Sequence, residues 1–261
     1  MIIKIYSVLV NRYGILKQKA LNALINKKKT LLHNNTSMVF FIPNPLSLYR
    51  IKTFATKEPE TLDWIDSFKE DSVMWDIGAN IGLYSIYAAK SKNVKVFAFE
   101  PSVFNLEFLA KNIHVNNLST QISIMPIALS NQAGFNTFKM NNPVWGGALS
   151  SFGADFDQFG KKFNTSFEYN IPGLRADDVL EIFNIPKPDY LKIDVDGIEH
   201  LILEGLVDIL HNVKNVLVEI NDSFIEQKSQ SEGYLEKAGL KLIAKFEIGA
   251  TNMHNQLWSR K

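Results

Sequence analysis

From residue 72 onward, short apolar runs alternate with helical stripes, and this pattern limits the fold more than any other feature. Val73–Trp75, Val94–Phe99, Ile122–Leu129, Tyr190–Ile193 and Val216–Ile220 read as strands. Between them Leu83–Ala89, Asn105–Val115, Ile198–Leu210 and Ser223–Ala238 read as helices. Leu240–Glu247 and Gln256–Ser259 close the chain as two more strands. A strand that rejoins its sheet through a helix runs parallel to its predecessor. The expected fold is therefore α/β, a mostly parallel Rossmann-like sheet with helices on both faces. A chain of 261 residues suits one such domain with an addition.

The addition lies at the N-terminal end. Ile2, Ile5, Tyr6, Leu9, Tyr13, Leu16, Ala20 and Leu24 recur at helical steps within residues 2–29. MVFFI (38–42) and LSLYRIKTF (46–54) read as strands around the turn Pro43-Asn44-Pro45. Pro59 then opens a helix with Leu62, Ile65 and Phe68 on one stripe. The first 57 residues hold ten basic side chains and no acidic one, so +10 there faces −9 in the remainder. The expected division is a basic helix-and-hairpin extension over 1–56 and a domain over 57–261. Residues 132–173 interrupt the alternation with an aromatic-rich insertion around Gly146-Gly147, expected to form a lid on the substrate side.

Composition narrows the chemistry. There is no cysteine, so no disulfide and no thiolate metal site forms. No run approaches the ~20 apolar residues of a membrane-spanning helix. The stretch IIKIYSVLV is short, carries Lys4 and leads to no small-residue cleavage site, so it does not read as a signal peptide. A cytoplasmic protein is expected. The basic helix allows peripheral contact of residues 1–30 with the inner face of a membrane; packing on the protein's own body is the plainer reading. Oligomeric state is left open.

Asp76-Ile77-Gly78-Ala79-Asn80-Ile81-Gly82 follows a strand and opens a helix, the context a nucleotide-binding loop requires. Gly78 permits a sharp turn and a close approach, and Asn80 tolerates positive φ. The next strand ends in Glu100-Pro101-Ser102, about 20 residues on, where a carboxylate meets ribose hydroxyls. A dinucleotide needs bare backbone for its pyrophosphate, and Asp76 sits uneasily beside one. S-adenosylmethionine carries no phosphate, and Asp76 would meet its ammonium. Ile127, Ala128 and Leu129 suit an adenine edge. The candidate cofactor contacts are Asp76, Gly78, Ala79, Asn80, Gly82, Glu100, Pro101, Ser102 and Ala128, with S-adenosylmethionine favoured. A second constellation, Lys192-Ile193-Asp194-Val195-Asp196-Gly197-Ile198-Glu199-His200, ends the fourth parallel strand. Strand carboxyl ends are where open α/β sheets bind ligands.

DIGANIGLYS, FEPS, LKIDVDGIEHLILEG and VLVEIN, taken in order, resemble the FkbM family of S-adenosylmethionine-dependent methyltransferases. KEPETLDWI, LRADDVL and NQLWSR extend the resemblance from about Arg50 to the end of the sequence. Asp196 stands where the family commonly has glutamate, Ala176 where it has leucine, and residues 1–45 fall outside. The resemblance implies the class I methyltransferase fold, with a seven-stranded sheet and an antiparallel last hairpin. It also implies O-methylation, often of sugars in glycans, glycolipids or secondary metabolites. By position Asp76, Gly78, Asn80 and Gly82 match its motif I, Glu100 its ribose acid, and Asp194, Glu199 and Glu219 its strand-end acids.

For transfer to a hydroxyl, Asp194 is the expected proton acceptor, oriented by Lys192 or Glu199, with His200 in reserve. The expected acceptor is a sugar or glycan. Metal assistance is a variant: Asp194, Glu219, Asn221 and Asp222 could offer oxygen ligands to Mg²⁺, though no metal is favoured. A nucleic-acid methyltransferase is a rival enzyme class, but the acidic DVDG turn would repel a polynucleotide. A non-catalytic membrane-associated binding module is the reading outside catalysis.

Overall fold

The computed structural model describes residues 2–249 and 251–260, with side chains from Arg12 onward. Helix α1 (Ile2–Ile25) leads into the antiparallel hairpin β1 (Lys28–His33) and β2 (Thr36–Phe41). Asn34 and Asn35 both adopt positive φ, at 41° and 63°, as a two-residue hairpin turn demands. Helices α2 (Pro45–Lys52), α3 (Phe54–Lys57) and α4 (Pro59–Asp66) follow.

The segment 46–54 is thus helical and not the expected strand. Asn44 starts it: its side chain accepts from the Ser47 amide at 2.8 Å, and Pro45 occupies the first turn. These two signals outweigh the strand-like spacing of Leu46 and Leu48. The hairpin is instead β1 with β2.

The alternating region then builds β3 (Val73–Ile77), α5 (Leu83–Lys92), β4 (Lys95–Phe99), α6 (Val103–Val115) and β5 (Ile122–Met125). The insertion forms β6 (Ala128–Ser130), β7 (Gly134–Met140), β8 (Ser150–Phe152) and β9 (Phe167–Arg175), a separate sheet of order β6-β9-β7-β8. Helix α7 (Ala176–Phe183) returns the chain to β10 (Tyr190–Ile193). Helices α8 (Glu199–Glu204) and α9 (Val207–Leu210), strand β11 (Asn215–Asn221), helix α10 (Ile225–Lys237) and the hairpin β12 (Lys241–Glu247) with β13 (Met253–Ser259) complete it.

The main sheet has seven strands in the order β12-β13-β11-β10-β3-β4-β5. Strands β11, β10, β3, β4 and β5 run parallel, and the last hairpin is antiparallel, as the resemblance implied. The strand expected over 122–129 divides between two sheets. Pro126 lacks a ladder donor, so β5 stops at Met125, and β6 pairs with β9 instead. The helix expected over 198–210 breaks at Gly205, where a side chain would lie 2.2 Å from the Ser130 carbonyl oxygen.

Strand alternation sends Trp75, Ile77, Phe97 and Phe99 into one apolar layer with α8 and the second sheet. Met74, Val96 and Ala98 face the other layer, with Ile65, Ile86 and the hairpin residues Met38 and Phe40. Asn112 of α6 and Asn116, which caps that helix, pair the open edge of β2. Asn112 Oδ1 accepts from the Phe41 amide, and Asn116 both accepts from and donates to Val39, at 2.7–2.9 Å. A covered edge cannot recruit another strand.

Candidate active site

The carboxyl ends of β3, β4, β10 and β11 open on a cavity of ≈ 330 Å³. Its floor is the glycine loop. Gly78 turns at φ 88°, and a side chain there would stand 1.9 Å from the Asp194 carbonyl oxygen. Glycine is therefore required because the exit of β10 crosses it. Asn80 adopts φ 51° and lines the cavity. Gly82, at φ 85°, caps α5 where a side chain would meet Leu109 of α6 at 2.6 Å; it serves helix packing.

Glu100 sits at the end of β4, in the cavity wall beside Pro101. Its two oxygens accept from the backbone amides of Asn80 at 2.8 Å and Ser102 at 2.7 Å. Burial outweighs those two donors and pushes its carboxyl up to about 7. Ser102 itself stays outside the lining, while Ala128, Ile127 and Leu129 form an apolar wall facing Phe138 and Phe152 of the insertion. An anchored acid beside a flat apolar slot fits an adenosine.

A smaller chamber of ≈ 60 Å³ lies on the far side of the loop, lined by Ala79, Arg50, Lys57, Glu58, Lys192 and Asp194 among others. Gly78, Asn80, Arg50, Lys57 and Asp194 belong to both chambers. Mixed cations and carboxylates there fit a zwitterionic amino-acid end. In chemical character the two chambers match the two ends of S-adenosylmethionine.

Asp76 reaches neither chamber. It is 1% exposed, and its Oδ2 accepts from the Ser85 hydroxyl at 2.5 Å while Oδ1 has no partner. Alternation along β3 turns it away from the cavity toward α5, and burial raises its pKa despite nearby Lys192. Asp194, by contrast, lines both chambers, and its Oδ2 lies 2.6 Å from Lys192 Nζ. Burial pushes the Asp194 carboxyl up, but Lys192 and then Lys57 more than offset this and hold it below the usual range. Burial works against the Lys192 ammonium too; Asp194, Asp76 and Glu58 reverse that and raise its pKa.

Of the other acids of this turn, Asp196 also lines the main cavity and Glu199 does not. Asp196, at φ 64°, accepts from the amides of Leu149 and Ser150 at 2.7 and 3.3 Å, tying the turn to the insertion. Burial, then Asp194, pushes it up to about 6. Glu199 is fully buried and lines neither chamber. Its carboxylate accepts from the Val195 and Gly197 amides at 3.1 Å and from Gln227, so it braces the exit of β10 from behind. Burial raises it to about 7. His200 is closed in by Phe156 and Phe224, at 6.0 and 5.8 Å between ring centres, and its Nδ1 has no partner. It too stands outside both chambers.

Glu219 lines the main cavity, and burial, followed by Asp194, pushes its carboxyl well up. Asn221 donates to the Gln158 carbonyl at 2.8 Å. Asp222 is held by Lys228 and Lys245 at 3.1 and 3.0 Å. Asn221 and Asp222 are thus engaged away from Asp194 and Glu219, and among the described residues no three His, Cys, Asp or Glu side chains gather as a metal-binding group.

The family model for the Methyltransferase FkbM domain matches residues 76–245. This chain belongs to the FkbM methyltransferase family. It is a S-adenosylmethionine-dependent methyltransferase of the class I, Rossmann-like fold. The chain is 26% identical to the hexuronic acid methyltransferase AglP of Haloferax volcanii over 182 residues, 70% of each protein. It is 31% identical to methyltransferase sdnD of Sordaria araneosa over 169 residues, 55% of this chain and 64% of that one. A crystal structure of PH0793 from Pyrococcus horikoshii, described as a transferase, aligns with a TM-score of 0.50 at 13% identity, over 90% of this chain and 73% of that one, and shows the shared fold.

The FkbM segment supplies the loop, Glu100, Asp194 and Glu219. Part of the cavity wall lies outside it: Leu46, Tyr49 and Arg50 of α2 and Lys57 of α3. Sequence reading missed these residues. Nothing local marks them, because Arg50 meets the insertion across 96 positions. The same contact closes the roof. Asn44 donates to the Trp145 carbonyl at 2.8 Å, Arg50 to Gly146 at 2.7 Å, and Asn80 to Gly147 at 2.7 Å, while Asn105 accepts from the Gly146 amide at 3.0 Å.

Proposed function

We propose that this FkbM methyltransferase methylates a hydroxyl of a sugar in a glycan, a glycolipid or a related metabolite. The observation that carries the O-methylation reading is Asp194: an ionised carboxylate, paired with buried Lys192, where the two chambers meet. The sugar reading is supported by the similarity to AglP and by the half-exposed ring of Tyr49 in the cavity wall, since aromatic faces stack on sugars. When bound, S-adenosylmethionine supplies an electrophilic methyl on a sulfonium. A hydroxyl held in line with it would take that methyl as the carbon–sulfur bond breaks, and Asp194 is placed to take the hydroxyl proton. Lys192 keeps Asp194 ionised and oriented, and Glu199 fixes the backbone beneath it. Holding the two reactants in line supplies ~7–11 kcal/mol of such a barrier. His200 has no part in this scheme.

In this reading residues 57–261 carry the methyltransferase domain, and the extension 1–56 adds a wall to its cavity. Among the described residues no helix is long and apolar enough to cross a membrane. The +10 charge of the first 57 residues supports a cytoplasmic enzyme with α1 at the inner membrane face. The deciding experiment offers methyl-labelled S-adenosylmethionine with a panel of neutral and acidic sugars, glycolipids, phenols and RNA, with and without excess chelator. Label on a sugar oxygen, unaffected by chelator, is expected. Label confined to RNA or a phenol would end the sugar reading, and loss in chelator would restore a metal.

A further inference from the structure

The smaller chamber contains three cationic side chains, Arg50, Lys57 and Lys192. Two of them are already paired. Lys57 Nζ lies 2.6 Å from Glu58, and Lys192 Nζ lies 2.6 Å from Asp194. Among the described residues Arg50 has no carboxylate within ion-pair distance. Its Nε donates to the Gly146 carbonyl at 2.7 Å, and its two terminal nitrogens donate to no protein acceptor there. One edge of the guanidinium is thus fixed and the other end is unassigned, in a side chain that lines both chambers.

The fixed edge removes much of the cost of ordering a long side chain when it engages an anion. The position of the chamber selects the anion. Gly78 and Asn80 line both chambers and Glu100 lines the main one, so an adenosine anchored at Glu100 would extend beyond its ribose across these two residues. Beyond them is the smaller chamber. A cofactor so placed would end there in an ammonium and a carboxylate, and the carboxylate would call for a cation that is not already paired.

We propose that Arg50 of α2, outside the segment matched by the FkbM family model, binds the carboxylate of the amino-acid end of S-adenosylmethionine. The helix Pro45–Lys52 is then part of the cofactor site, and its one charged contact to the insertion also sets that site's roof. The inference rests on the cofactor and not on the sugar reading, so a different acceptor would leave it standing.

Calorimetry on the full chain tests it with two ligands that differ only in the carboxylate, S-adenosylmethionine and its decarboxylated form. A charge-assisted hydrogen bond of this kind is worth about tenfold to a hundredfold in affinity. The unmodified protein should bind the decarboxylated form at least about tenfold more weakly. Arg50→Gln should weaken S-adenosylmethionine binding by at least about tenfold and change binding of the decarboxylated form by less than about twofold. Arg50→Lys, which keeps the charge, should recover part of the loss and serves as the reporter if the glutamine variant does not fold. An equal loss for both ligands would assign Arg50 to holding the Trp145–Gly147 turn alone and overturn the proposal. Unchanged affinity for S-adenosylmethionine in Arg50→Gln would overturn it as well, as would equal affinity of the unmodified protein for the two ligands.

Discussion

Asp76 and Asp194 both attend the ammonium of Lys192, yet only one of them meets a ligand cavity. Lys192 is in register with Asp76 across the sheet and bonded to Asp194 two residues later. Alternation turns Asp76 into the packed layer, whereas the strand has ended at Asp194 and its side chain opens to the chambers. The two environments push their carboxyls in opposite directions. Removing the proton acceptor costs about 10²–10⁴-fold in rate. Asp194→Asn should therefore lower kcat by about that factor, with the S-adenosylmethionine Kd within about fivefold; near-normal turnover would exclude the role. Gly78 allows a sharper test of the fold. A methyl group there would stand 1.9 Å from a backbone oxygen, which cannot rotate away. Gly78→Ala should cost about 3 kcal/mol or more in urea unfolding, from overpacking and the strained φ together. A shift below about 1 kcal/mol would show that β10 can move off the loop.

Among the elements, α1 and α2 behave oppositely although both precede the family segment. Every residue of α1 from Arg12 to Leu24 is exposed, including Tyr13, Leu16 and Leu24. Helix α2 buries Ile51 and Ser47 and grips the insertion through Asn44 and Arg50. Deleting residues 1–26 should thus leave the thermal midpoint within about 2 °C, since residues 12–24 contribute no buried side chain to the core. The same deletion should abolish sedimentation with anionic lipid vesicles while sparing S-adenosylmethionine binding. Unchanged sedimentation would remove the membrane role from α1. Mutating Asn44 to Ala should instead lower the thermal midpoint, because it removes both the cap of α2 and a bond to the roof.

At the scale of the whole molecule the site stores unfavourable burial. Glu100 and Glu199 stand at about 7 and Asp196 at about 6, all raised chiefly by desolvation, and Glu219 is raised as well. Their ordinary values are 4.5 for Glu and 3.8 for Asp. Between those values and the raised ones, the native state binds more protons than the unfolded chain, so stability falls as pH rises. Asp194 is lowered from 3.8 and acts below this window; His200, lowered from 6.5, opposes within it as a single group. The ligand-free protein should therefore melt at a lower temperature at pH 8 than at pH 5, and a rise would contradict the burial of these carboxyls. The sequence by itself determined the strand–helix alternation, the glycine loop, Glu100 and the order of the acids, because periodicity and turn chemistry are local. It could not determine that Pro126 moves Ala128 to a second sheet, that Glu199 and His200 turn inward, or that Arg50 reaches Gly146. Those outcomes depend on side-chain direction at strand ends and on contacts between distant segments, and only tertiary packing settles either.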